Sequence, residues 1–341
     1  MGGPRTGRLA RCALALLALV AACTQPPRPP DGSLPAGDFT VSLPHDGRSR
    51  RYLVHVPAHA DPSAPRPVVL VLHGAADDAV DNRDWLGLDD MADREGFLAV
   101  YPDGTGPFAD RLHMWNSGDC CGSAQWSGVD DVGFLLAVLD DVSERTAVDA
   151  TRVYATGLSN GAMMAYRLAA EASDRIAAIA PVAGSRTATL GDGIRPMPVM
   201  HVHSVDDGVV PFAGGTTMIF PGVYSIPHPS VENVLQAWAQ HDQCPAAAEE
   251  TDPWSVDDPG RQAVARTIWG PCANGAEIVL WRLRGVGHTW PGPASSFRNW
   301  FVGPATSVID VREEMWRFFR RFTRPEAAGL TAAARRVDVR S

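Results

Sequence analysis

Residues 154–164 read YATGLSNGAMM: an apolar run halts at two glycines flanking one serine, and small helix-forming residues follow. "TRVYAT" ahead of it has the branched, apolar character of a strand, and "NGAMMAYRLAAEA" behind it reads as a helix. Gly157-Leu158-Ser159-Asn160-Gly161 is therefore the turn between them. A Gly-x-Ser-x-Gly turn in that setting fits a strained elbow whose glycines admit close backbone contacts and whose serine oxygen projects above a sheet. The following helix start also favours negative charge forming beside Ser159. The plainer alternative is an ordinary turn in which Ser159 is a solvated cap.

The pattern continues on both sides of this turn. "DFTVSL" and "RRYLVHVP", joined through "PHDGRS", alternate like an antiparallel hairpin. "PVVLVL", "GFLAVYP", "TRVYAT", "IAAIAPV", "PVMHVH" and "EIVLWRL" are short branched runs, most of them separated by helix-period segments, as strands covered on both faces should be. Together they predict an α/β fold: a single domain over residues 37–322, with a mostly parallel eight-stranded sheet and helices on both faces. Three helices carry clear signals. "VDDVGFLLAVLDDV" aligns Val132, Leu135, Leu136, Leu139 and Val142 after Asp130 or Asp131 as cap; "PSVENVLQAWAQH" follows Ser230. "DVREEMWRFF" offers Asp310 as cap with Glu313 three residues on, turns Val311, Met315, Phe318 and Phe319 inward, and is stopped by Pro325.

Serine is a weak nucleophile unless an imidazole takes its proton and an acid holds that imidazole in the right tautomer. Downstream of Ser159, His203 ends a strand and His288 lies in the glycine-rich "RGVGHTWPG" loop after the last core strand, where the chain can bend back over the sheet. His288 is the better base. The acid belongs just past "PVMHVH", where "SVDDGVVPF" offers Asp206 and Asp207; pattern alone does not separate them, and the other is a turn residue. Donors for an oxyanion would be the backbone N–H groups of Asn160, after the nucleophile, and Ala75, after "LHG". Trp115 and Trp290, in loops beside this cleft, would wall it with apolar surface or else pack the loops. His201 and His203 form an H-x-H pair that alternation places on one strand face; with no third ligand, sheet packing accounts for them better than a metal.

The chain has 341 residues, 45% of them hydrophobic, and a formal net charge of −9. An acidic surface excludes nucleic acid and anionic membrane as partners. The cations are all arginine. Arg5, Arg8 and Arg11 precede the apolar "CALALLALVAA", which is too short to span a bilayer and reads as a signal peptide over residues 1–22. "VAAC" resembles a bacterial lipobox, so Cys23 is expected to be the lipidated first mature residue; the alternative is an ordinary signal peptide and a secreted chain. Residues 23–36 are a proline-rich tether, and residues 323–341 read as a flexible tail. Contact with membrane is expected only through this N-terminal lipid, on the outer face of the cell membrane, and no feature assigns an oligomeric state. In an exported chain the remaining cysteines can pair. Cys244 with Cys272 is favoured, because "RQAVARTIWGPCANGAEIVLWRL" reads as a hairpin turning at "NG" with the helix ending near Cys244 at its base. Cys120 and Cys121 then pair with each other or stay reduced; a metal at this doublet lacks any accompanying His/Cys cluster.

"LVLHGAAD", "ADREGFLAVYPDG", "WNSGDCCG", "VDDVGFL", "GLSNGAMMAYRLA", "DDGVVPF" and "GVGHTWPG" resemble, in order, the blocks of the polyhydroxybutyrate depolymerase and feruloyl esterase-like family of α/β-hydrolases, over roughly Asp38 to Phe319. The resemblance implies Ser159 as nucleophile and His288 as base, selects Asp207 as the acid ahead of Val-Val-Pro, and fits a Cys244–Cys272 bridge. It implies a serine esterase using neither metal nor organic cofactor, acting on a small-molecule or oligomeric ester. Trp126, in "SAQWSG", departs from the family pattern, and no polymer-binding domain follows the catalytic one, so soluble oligomers or smaller esters are the expected substrates. A peptidase on the same fold, lacking an insertion or propeller to sort peptides, and an idle ligand-binding lipoprotein are the competing readings.

Overall fold

Successive branched residues at 68–72 point to opposite sides, Val68, Leu70 and Leu72 into one core and Val69 and Val71 into another, so this strand is covered on both faces. The computed structural model describes residues 34–58, 63–108, 111–186, 189–220, 224–245, 249–251, 262–292 and 303–325. The signal-peptide and Cys23 readings, nearly all of the tether and most of the tail lie outside the described residues.

The order is β1 (Gly37–His45), β2 (Arg48–Val56), β3 (Arg66–Leu72), α1 (Ala79–Leu86), α2 (Asp89–Glu95), β4 (Leu98–Pro102), α3 (Gly122–Trp126), α4 (Asp131–Arg145), β5 (Val148–Leu158), α5 (Asn160–Glu171), β6 (Ala178–Val182), β7 (Val199–Ser204), β8 (Gly215–Phe220), β9 (Tyr224–His228), α6 (Val231–His241), β10 (Glu249–Thr251), β11 (Ala263–Trp269), β12 (Ile278–Arg284) and α7 (Val311–Phe319). Among the described residues, ten strands join one sheet in the order β1-β2-β4-β3-β5-β6-β7-β12-β11-β10, and β8 and β9 make a separate hairpin. From β4 to β12 every pairing is parallel, while both edges are antiparallel. The sheet thus exceeds the expected eight strands by β11 and β10: the hairpin read around "NG" adds β11 beside β12, and the three-residue β10 is too short to show a period.

Helices α4, α5 and α6 cover one face and α1, α2 and α7 the other. Asp130, Ser230 and Asp310 accept from Gly133, Asn233 and Arg312 N–H groups as the caps of α4, α6 and α7. The capping-box reading of Glu313 gives way to a different partner: its carboxylate takes Arg94 Nη2 at 2.6 Å, tying α7 to α2. Helix α7 also ends at Phe319, ahead of Pro325. Cys244, after α6, is bonded to Cys272, after β11, with Cα atoms 4.1 Å apart; Cys120 and Cys121 are bonded to each other. The Cys244–Cys272 link closes a loop with a sequence separation of 28. Chain entropy for a loop of that size assigns it about 3.5 kcal/mol. Replacing both cysteines by serine is expected to lower the urea midpoint accordingly, read from denaturation curves.

The parallel strands end together. Leu72 pairs with Gly157, Leu158 with Val182, Val182 with Val202, and Ser204 with Leu283, so the segments beginning at residues 73, 159, 205 and 285 leave from one rim of the sheet.

Candidate active site

At that rim the backbone of Ser159 takes φ 57° and ψ −118°, between the end of β5 and the first turn of α5. This left-handed conformation is costly for a residue with a side chain, and the surrounding backbone has to enforce it. Glycine makes that possible. A Cβ on Gly157 would lie 2.6 Å from Leu72 O, and one on Gly161 2.6 Å from His73 O, so β3 packs directly against the turn. Because the obstacles are backbone carbonyls, Gly161→Ala is expected to cost about 3 kcal/mol or more, measured by urea unfolding. Gly74 is also close: a Cβ there would sit 3.8 Å from Ser159 Cβ, which sets the 73–75 segment beside the serine.

The segment after β7 supplies Asp207 and the segment after β12 supplies His288. His288 Nδ1 lies 2.8 Å from Asp207 Oδ2, and both side chains are buried. Asp207 Oδ1 accepts the Val209 and Val210 N–H groups, each at 2.8 Å. Burial alone would raise the Asp207 pKa; hydrogen bonds from His203 and His288 outweigh it and hold the carboxyl well below the usual carboxylate range. With Nδ1 bonded to a carboxylate, His288 carries its proton there and keeps Nε2 as the basic nitrogen. Asp206, exposed, accepts instead from Gly285 N at 2.6 Å and so ties the two segments together.

Near the elbow, at Met163, lies a recess of about 40 Å³ lined by Ser117, Cys120, Met163, Ile226, Pro227 and His228, among others, with neither Ser159 nor His288 in its wall. Met163 stands one helical turn after Ser159, whose carbonyl accepts its N–H. Burial, and next the neighbouring His288, push the His228 pKa down to about 4. A larger hollow of about 510 Å³ lies beside α6 and β11–β12, with Glu232, Gln236, Trp269 and Arg282 in its wall and neither Ser159 nor His288.

The tryptophans do not wall the cleft. Trp115 is wholly buried, its indole N–H donating to His73 O at 3.0 Å, and Trp290 is buried in the core under α7. Both are large apolar residues that the loops needed for packing, the plainer of the two sequence readings; Trp126, by contrast, is exposed, at 69%. Sequence reasoning also missed what several polar side chains do. Asn160 was read only for its backbone N–H, yet its buried amide accepts Trp115 N at 2.7 Å and donates to Trp115 O at 3.0 Å, locking the "WNSG" loop onto the helix start. His73 donates from Nδ1 to Gly74 O at 2.7 Å and accepts Gly104 N at Nε2, which fixes the loop that carries Ala75. Ala76 N–H is engaged by His113 O, whereas Ala75 is exposed at the rim.

His73, Asp103 and His113 converge closely enough to suggest a metal. Two of the three are committed elsewhere, however: His73 uses both nitrogens as above, and the Asp103 carboxylate takes Arg51 Nε and Ala79 N. The H-x-H pair is likewise bonded at all four ring nitrogens, to Tyr166, to each other and to Val210 O. Burial pushes His73 down to about 4, so it folds neutral while the unfolded chain protonates below about pH 6.5. Its contribution is present above that pH and is lost as the pH falls toward 4, about 3 kcal/mol in all. His228 acts in the same direction. Urea midpoints are therefore expected to fall steadily from pH 6.5 to 4.

A parallel sheet bearing a glycine-flanked serine at a strained strand-to-helix turn, with a buried His–Asp pair on the same rim, defines the α/β-hydrolase fold. Solved structures agree at the level of fold: a thermostable esterase matches with a TM-score of 0.52 at 16% identity over 86% of this chain and 64% of that one, and a pOPH variant bound to DMSO matches at 0.52 and 15% over 90% and 98%. The family model for esterase PHB depolymerase matches residues 51–248. The chain belongs to that family, and it is a carboxylic ester hydrolase. Among similar proteins are NocK of Nocardia uniformis subsp. tsuyamanensis, described as an esterase (29% identity, 88% of this chain and 94% of the relative), the bifunctional acetylxylan esterase/xylanase XynS20E of Neocallimastix patriciarum (28%, 71% and 31%), and feruloyl esterase D of Neurospora crassa (24%, 83% and 86%). The chain thus spans under a third of the bifunctional enzyme and most of the other two.

Proposed function

We propose that the protein is an exported serine esterase that cleaves small-acyl esters through an acyl-enzyme, with Ser159 as nucleophile, His288 as general base and acid, and Asp207 as the carboxylate that orients His288. The observation that carries this is the buried His288–Asp207 bond on the rim from which the φ 57° serine projects. His288 Nε2 takes the serine proton as Oγ attacks the ester carbonyl, then returns it to the leaving alcohol; a water repeats the sequence to release the acid. The Asn160 and Ala75 N–H groups receive the oxyanion; the helix start at Asn160 and the packing of Gly74 on Ser159 support that placement.

The recess favours a short acyl group. Some 40 Å³ between Met163, Cys120 and Ile226 suits an acetyl or hydroxybutyryl chain and is small for a feruloyl ring. Acetylxylan esterase among the similar proteins is in keeping with the first, and feruloyl esterases supply the rival. The kcat/KM for p-nitrophenyl acetate and for hydroxybutyrate oligomers is expected to exceed that for methyl ferulate at least tenfold; the reverse order overturns the small-acyl reading. Trapping the acyl-enzyme by rapid quench and mass spectrometry, with the added mass on the Ser159 peptide, tests the route.

Export rests on the basic and apolar start of the chain and on Cys23 after "VAA", and the two cysteine pairs suit an oxidising compartment. Metabolic labelling with palmitate should mark the wild type and not Cys23→Ala; label retained in the variant overturns the anchor.

A further inference from the structure

Leading up to Asp207, three buried polar side chains stand in file. Tyr166, on α5, places Oη 2.8 Å from His201 Nδ1; His201 Nε2 lies 3.0 Å from His203 Nδ1; His203 Nε2 lies 2.8 Å from Val210 O and 3.3 Å from Asp207 Oδ2. None of the three reaches solvent, and the two imidazoles stack with centroids 5.3 Å apart. A hydroxyl and two imidazoles in a core are expensive unless each hydrogen-bonding group is matched. Packing alone would be met better by apolar residues, so the alternation of β7 does not explain why this face is polar.

With His203 taken as neutral, the ends of the file set the direction of every hydrogen bond in it. Val210 O and the Asp207 carboxylate only accept, so His203 Nε2 must carry a hydrogen and Nδ1 must be an acceptor. His201 then donates from Nε2 and accepts at Nδ1, and the Tyr166 hydroxyl donates into it. Each tautomer is then set, and burial holds His201 neutral. We infer that Tyr166, His201 and His203 are positioning residues: a one-way hydrogen-bond chain, anchored in α5, that brings a second donor to Asp207 Oδ2 beside His288 and fixes the carboxylate for it. This rests on the proposed roles of Asp207 and His288.

Two consequences follow for the acid. His203 grips both Val210 O and Asp207 Oδ2, which pins the 205–210 segment at two points, while Val209 and Val210 N–H groups hold Oδ1. A donor on Oδ2 also draws charge from the oxygen that His288 uses. Without it, more charge faces His288, and its imidazolium becomes more stable. Among the described residues, the other titratable groups near this end are His228, from β9, which bonds Thr217 of β8, and Asp206, which is turned to Gly285.

The test compares Tyr166→Phe, His203→Gln and His203→Ala with wild type, in kcat, KM, and the pH profile of kcat/KM on p-nitrophenyl acetate, with Ser159→Ala as control. Tyr166→Phe keeps the ring and removes one oxygen; a threefold to tenfold loss of kcat is expected, with KM within twofold and the acid limb displaced to higher pH. His203→Ala should lose about thirtyfold, and His203→Gln, which restores an N–H donor, should recover part of it. Variants that lose stability while kcat and the acid limb stay at wild-type values would show a packing role and overturn the inference. So would three folded variants with wild-type kinetics. Activity surviving in Ser159→Ala would instead sink the esterase mechanism itself, so the two failures are distinguishable.

Discussion

Ser159→Ala is expected to reduce kcat by about 10⁵-fold to 10⁶-fold, with what remains coming from substrate binding and oxyanion donors. The size follows from the geometry. The serine sits at φ 57°, held by β3 against Gly157 and Gly161, so its oxygen is presented to the rim by strain that the whole strand-turn-helix unit sustains. Alanine accepts the same backbone at the same cost, and stability should change by less than about 0.5 kcal/mol. The variant therefore isolates chemistry from folding. Steady-state hydrolysis of p-nitrophenyl acetate, together with labelling by a fluorophosphonate probe, reads both sides: prompt labelling of the wild type, none of Ser159→Ala. More than one per cent of wild-type kcat in a folded, uncontaminated variant would remove Ser159 from the mechanism. No labelling of a folded wild type would favour the idle binding protein.

What the sequence disclosed divides by range. The elbow was legible because its parts are consecutive: a branched run, two glycines, a serine and a small-residue helix state their geometry locally. The same holds for the caps at Asp130, Ser230 and Asp310, and for the strands whose runs exceed five residues. Properties that depend on contacts distant in the chain did not show. Trp115 and Trp290 looked like cleft walls because loops over a site attract that reading, but burial is decided by what packs on them, and here it is His73 and the core beneath α7. Asn160 joins Trp115 across a separation of 45 residues, and Glu313 meets Arg94 across 219; neither pairing leaves a local trace. His201 and His203 are instructive in another way. Alternation correctly put them on one face of β7, yet only Tyr166, contributed by α5, reveals that the face is a hydrogen-bonded line rather than filler. The choice between Asp206 and Asp207 belongs to the same class, since adjacent residues on a turn differ only in where they point. There the structure separates them by partner, Gly285 N for one and the His288 ring for the other.

That separation gives the second large expectation: Asp207→Asn should lower kcat by about 10⁴-fold, whereas Asp206→Asn should stay within about threefold of wild type. An amide in place of the Asp207 carboxylate has one oxygen and one NH₂, and its orientation is dictated. The Val209 and Val210 N–H groups both point at the Oδ1 position, so the amide oxygen belongs there. The NH₂ then falls where Oδ2 was, facing His288 Nδ1 and His203 Nε2, both of which now donate to that atom. To avoid donor against donor, His288 must move its proton to Nε2, and a protonated Nε2 cannot accept from Ser159. His203 keeps Val210 O as the acceptor for its Nε2–H and loses only its contact with the acid. Asp206 has no such role: its Oδ2 accepts a single N–H, from Gly285, and the oxygen of an asparagine can do likewise. Because the Asp207 carboxyl is held ionised far below neutrality, acidification to pH 5 should not reproduce the variant's defect, and the loss should persist across the pH range rather than titrate. Asp207→Asn above a tenth of wild-type kcat, with Asp206→Asn inactive, would transfer the orienting role to Asp206 and take the inferred chain with it.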